Sequence, residues 1–213
     1  MYTELEKRIS HIENLRDIHI ELLQDTLAAD GGKMFPLDFL AAAAIKRSLS
    51  LCSGFAALVR AKNYSSSAVL LRLQLDSCLR FFAAFIVDNP HDFSHRVLKG
   101  EHVRNQKDRN GQKMTDRHLV NTLGEKYEWM PRVYEATSGF VHLSERHIFN
   151  IVRPSDEEDT ISMAITYEDD YPEYLWVEMA DGFLASTDAL FEYLKGWQFT
   201  KANPDLVANR GDQ

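Results

Sequence analysis

Cysteine is scarce in this chain of 213 residues: Cys52 and Cys78 are the only two. They stand alone, without CxxC spacing, so neither a zinc knuckle nor a disulfide framework is on offer, and a reducing cytoplasmic setting is the natural expectation. Proline and glycine are also few, 6 and 10 residues, which excludes low-complexity and collagen-like classes. No glycine-rich phosphate loop or nucleophile elbow occurs, which argues against kinase and hydrolase chemistry. A long uninterrupted apolar run is missing too. The most apolar window, residues 65–87, is broken by Arg72, Asp76 and Arg80, charges that lipid would exclude, so no membrane span is expected. The first residues alternate charged and apolar side chains, unlike an export signal.

Positive charge is absent from a whole segment. Between Pro154 and Glu192 there is no Lys or Arg but a dozen carboxylates, an acidic block fit for solubility or for a protein partner. The formal net charge of −8 argues against a coat for nonspecific DNA binding. The middle of the chain, residues 91–153, is different: Lys and Arg modestly outnumber Asp and Glu there, and six of the eight histidines fall in it. An anionic ligand is drawn to that middle.

What is present reads as helices. Leu5, Ile9, Ile12, Leu15 and Leu22 recur at helical spacing until Asp30-Gly31-Gly32 stops the first helix. Pro36 opens a second, to about Lys62, and Ser65 or Ser66 is expected to cap a third. Asn89-Pro90 announces a fourth, to about Gln106, followed by a loop turning at Asn110-Gly111. A short helix is expected over 116–123, another from Pro131 to about Leu143, and a last one from about Glu173 to Leu194 or Lys195, ended by Gly196. Between these two the period changes. "ISMAITY" alternates like a strand, and "HIFNIV" is its expected partner across the acidic loop. The expectation is a mainly α fold: a bundle of about six to seven helices with one appended β-hairpin at about 147–167, a single domain over residues 1–200 and a flexible tail over 201–213. The tail holds Arg210-Gly211-Asp212, three residues that chance supplies readily.

Candidate chemistry lies on two polar stripes. Arg72, Asp76 and Arg80 sit at i, i+4 and i+8 of the apolar third helix. Tyr134, Ser138 and His142 repeat that spacing in the helix opened by Pro131, with Gly139 beside them for close backbone approach. If the stripes face each other, His142 can move a proton near neutral pH while Arg72 holds a phosphate, with Asp76 orienting and Ser138 donating a hydrogen bond. Arg80, Tyr134 and His147 then complete a binding surface. A buried ion-pair ladder capped by a histidine has the same sequence signature, so both roles stay open. His91 and His95 have the spacing of a helical metal pair, and His102 and His118 follow, but no third ligand stands at a diagnostic distance. No metal or cofactor is expected.

The segments "AVLLRLQLDSCLRFFAAFIV" and "RVYEATSGFVHLSERH" resemble an uncharacterised bacterial all-helical family of unknown function, distantly similar to HEPN bundles. The resemblance covers roughly residues 36–147. It implies that Arg72 with an acidic residue four places on, here Asp76 where glutamate is usual, belongs with Tyr134, Ser138 and His142. "RVLKGEH", Arg96 to His102, fits the permissive arginine-to-histidine spacing of HEPN ribonucleases, although Val97 replaces the usual polar residue. Two functions follow as expectations: a metal-independent RNA-cleaving or RNA-binding protein of stress or phage-defence type, or a non-catalytic homodimeric interaction module.

Overall fold

The computed structural model describes residues 3–142, 144–153 and 160–205. It is mainly α, a helical bundle, as the periodicity predicts. Helix α1 (Glu4–Ala28) starts where the Thr3 hydroxyl accepts the Glu6 N–H and ends in a turn with Asp30, Gly31 and Gly32 all at positive φ. Helix α2 (Pro36–Arg60) has proline in its first turn and the Asp38 carboxylate accepting the Phe35 N–H at 2.7 Å. Helix α3 (Tyr64–Phe82) is capped by Asn63, not by Ser65 or Ser66: the asparagine side chain accepts the Ser66 N–H at 3.0 Å. Helix α4 (Pro90–Leu98) is capped by Asn89 and stops well short of Gln106. Helices α5 (Asp116–Gly124) and α6 (Met130–Val141) follow, and α8 (Glu173–Ala202) comes after a short α7 (Glu145–Ile151).

Helices α1, α2, α3 and α8 form a ring, each packed on the next, with α4 outside α2 and the α5–α6 pair outside α3. That places α3 between two layers, which is why it is apolar on nearly every side; Leu71, Leu75, Cys78, Leu79 and Phe81 are all buried. Phe55 of α2 stacks on Phe183 of α8, ring centroids 4.2 Å apart, in the middle of the ring. Helix α2 is, by length and composition, the one described helix apolar enough to cross a membrane. Here eleven of its residues are buried, so a core role accounts for its composition.

Further sequence expectations change in the last third of the chain. "HIFNIV" is helical through Ile151, because α7 continues the helical run after Ser144; the hairpin shrinks to β1 (Val152–Arg153) against β2 (Ser162–Met163), in antiparallel register Val152↔Met163. Gly196 does not end the last helix. Helix α8 runs through it because Trp197 and Lys201 are buried on the bundle, where burial outweighs the glycine's poor helix propensity. Residues 201 and 202 therefore belong to the helix, while Arg210-Gly211-Asp212 lies outside the described residues.

A buried polar chain crosses the ring. The His19 ring donates from Nδ1 to the Leu15 carbonyl at 2.7 Å, so its Nε2 accepts the Ser48 hydroxyl at 2.8 Å. Ser48 accepts the Gln74 amide, which also donates to Thr187. Burial pushes the His19 pKa below its ordinary 6.5, against the Leu15 bond, and burial does the same to His91, against the charge of Asp38. Both rings stay neutral in the folded chain at a pH where the unfolded chain protonates them. Folding stability is thus expected to be complete above about pH 6.5 and to fall as pH drops toward the depressed folded values. Urea midpoints at about pH 7.5 and about pH 5.5 check this; a flat or inverted trend contradicts it.

Candidate active cleft

The two stripes meet. Arg72, Leu73 and Asp76 of α3, Tyr134, Ser138 and Val141 of α6 and His142 just past its end line one cleft of about 320 Å³, together with Asp116 of α5. The Arg72 guanidinium carbon lies 3.9 Å from the centre of the Tyr134 ring, a stacking that fixes its plane. Only 11% of its side chain is exposed, so the charge needs a partner, and Asp116 supplies one with Oδ2 at 3.4 Å from Nη2. Arg80 bonds the other oxygen of the same carboxylate. Its Nε stands 3.1 Å from Asp76 Oδ1, while Asp76 Oδ2 faces Arg47 at 3.6 Å. Three guanidiniums thus meet two carboxylates and leave one positive charge over. The Arg80 Nη1 atom is buried without a hydrogen-bond partner.

The helix ends explain who arrives there. Thr115 caps α5 through the His118 N–H at 3.3 Å, so Asp116 takes the first helical position, where the helix dipole favours a carboxylate. At the far end of α6, His142 leaves the helix at φ −117 and ψ 150. It sits exposed at the rim, at the stripe position that the spacing from Ser138 predicts but one residue past the end of the helix. Asp76 does not orient it: that carboxylate is occupied by Arg80 and Arg47. Nor does Ser138 donate into the cleft, since its hydroxyl proton goes to the Tyr134 carbonyl at 3.0 Å, leaving the oxygen as an acceptor.

His147 stays apart. Its Nδ1 accepts the Ser144 N–H at 3.3 Å and its ring leans on Phe140, and neither residue lines the cleft. The HEPN-type spacing from Arg96 to His102 falls on the surface, with Arg96 paired to Asp92 at 2.7 Å within α4. His91 stacks on Phe35 at 5.1 Å, and no three His, Cys, Asp or Glu side chains gather as a metal site among the described residues.

Sequence spacing missed Asp116, which lines the cleft from α5, and Arg47 of α2, which faces the Asp76 carboxylate. The carboxylate at the first position of a capped helix was the available signal for Asp116. It also missed a carboxylate–imidazole pair in the loop before α5. Asp108 Oδ2 meets His118 Nε2 at 2.8 Å, while its other oxygen takes the backbone N–H groups of Asn110 and Gln112. Burial raises the Asp108 pKa, yet these three hydrogen bonds outweigh it and hold the carboxyl below the usual range. The pair borders a polar hollow of about 520 Å³ with Arg109 and Asn121, and it fastens the turn at Gly111, whose φ is +79.

No family model, curated protein or solved structure matches this chain, so the reading of the cleft rests on its own geometry.

Proposed function

We propose that the α3–α6 cleft binds the backbone of RNA and that His142 cleaves it without a metal ion, in the cytoplasm, in a stress or phage-defence setting. The observation that carries this reading is the convergence of Arg72, Tyr134, Ser138 and His142 in one open cleft, whose two carboxylates are paired by the three guanidiniums of Arg72, Arg80 and Arg47. The neutral His142 imidazole takes the 2′-hydroxyl proton as that oxygen attacks phosphorus. The bond to the 5′-oxygen breaks, the leaving oxygen takes a proton from water, and a cyclic phosphate remains. Arg72, held flat on Tyr134, faces the charge that builds on the phosphoryl oxygens. A purified-protein assay on total cellular RNA, with and without EDTA, tests it: metal-independent cleavage supports the reading, and intact RNA overturns it. The cytoplasmic setting is supported by Cys52 and Cys78, both free and buried.

One observation favours a second reading. Asp76 and Asp116 already pair the arginines of the cleft, as in a network that only holds helices together. Under it the protein is a non-catalytic homodimeric interaction module whose acidic C-terminal part recruits a protein partner. Asp116→Asn separates the two. If the carboxylate occupies a phosphate seat, its neutralisation is expected to tighten binding of a single-stranded oligonucleotide on the order of 10-fold at low salt, less at high salt. If it is a structural strut, the variant melts lower and binds no better.

A further inference from the structure

The segment 160–167 carries no charge and alternates side chains, and its apolar face is open to solvent: Ile161 is 69% exposed, Met163 63%, Ile165 100% and Tyr167 66%. Exposed apolar side chains are concentrated here, since half of the large ones among the described residues lie between Val141 and Tyr167. A ladder of two residue pairs is too short to stand alone in water. The Ala164 N–H bonds the Ile151 carbonyl at 2.9 Å, so the amides of Met163 and Ile165 face away from β1 and form an outer edge. Such an edge is a template for another strand.

We infer that this edge pairs with the same edge of a second copy, antiparallel about a two-fold axis through Ala164. The sequence is self-complementary in that register. Ile161 falls opposite Tyr167 and Met163 opposite Ile165 on the apolar face, while Ser162 falls opposite Thr166 on the other. The parity agrees as well: Met163 and Ile165 become the hydrogen-bonded pair, and they are the residues whose amides are turned outward. No like charges face each other within the ladder. It stops at Tyr167, where the chain bends: the Thr166 hydroxyl accepts the Glu168 N–H at 3.1 Å, the Asp169 N–H bonds the Lys62 carbonyl at 2.8 Å, and the Asp169 carboxylate takes the Ser65 N–H at the start of α3. The carboxylates at 156–159 and 168–170 flank both ends and oppose longer stacking. A two-fold contact of this kind is isologous and closes at two copies. It does not depend on RNA chemistry in the cleft.

Sedimentation from low to high micromolar concentration, together with two variants, tests the pairing. Ala164→Cys sets two thiols across the axis with Cβ atoms about 4.5–5.5 Å apart, near disulfide range, so mild oxidation is expected to link two copies covalently. Cys52 and Cys78 do not compete, since both are buried with thiols pushed up to about 12. Ile165→Lys is expected to yield monomers that melt like the parent chain, because Ile165 touches nothing in the bundle at 100% exposure. A parent chain that stays monomeric, a dimer that survives Ile165→Lys, or an Ala164→Cys dimer that does not cross-link each overturns the pairing.

Discussion

Methionine in place of Lys201 is expected to lower the unfolding free energy by about 3–5 kcal/mol, seen as a lower urea midpoint at unchanged slope. Lys201 and Asp38 have no exposed side-chain surface, and their charges meet at 2.9 Å. The ammonium also donates to the Thr26 carbonyl at 2.8 Å, and the Trp197 indole N–H reaches Asp38 at 2.8 Å. This cluster ties the last turn of α8 to the first turn of α2 and the end of α1. Removing the cation leaves Asp38 buried without a countercharge, a larger penalty than the pair's own net contribution. The double variant Asp38→Asn with Lys201→Met is therefore expected to recover much of the loss. A Lys201→Met loss below about 1 kcal/mol means that water reaches the pair and that burial does not set its energy.

His142→Ala is expected to reduce RNA cleavage by about 100- to 10,000-fold while the melting temperature stays where it was. The imidazole is exposed at the end of α6, and its ring makes no hydrogen bond with a described residue, so little folding energy leaves with it. Arg72→Ala differs in kind. It removes the Tyr134 stack and one partner of Asp116 together, so activity and stability are expected to fall at once. Cleavage by the parent chain that persists unchanged in His142→Ala moves the reaction centre elsewhere.

Local rules carried much of the fold. Asn89-Pro90, Pro36 and Asp30-Gly31-Gly32 mark helix ends by backbone chemistry confined to a few residues, and the structure puts ends there. The stripes on α3 and α6 were legible for the same reason, since helical period is a local property. What spacing could not show is which distant groups answer those stripes: Asp116 lies 44 residues from Arg72, and Arg47 comes from another helix. Gly196 misled because a glycine's cost near 1 kcal/mol is overridden by the burial of Trp197 and Lys201 just beyond it. "HIFNIV" misled because a short apolar run suits helix and strand alike. His142 fell between the two kinds, its place in the stripe legible and its departure from the helix not.

The pairing of α8 with the other three ring helices also sets an order of events during synthesis. A ribosome releases α1, α2 and α3 before residues 173–202 are made, so the growing chain carries Phe55 without Phe183 to stack on it and Asp38 without Lys201. In that interval the Asp38 carboxylate, at the start of the most apolar long helix, has neither its ammonium nor its indole partner. When α8 arrives, the same carboxylate gives up its water for an ammonium and an indole. The latch of the core is thus among the last contacts the chain is able to make.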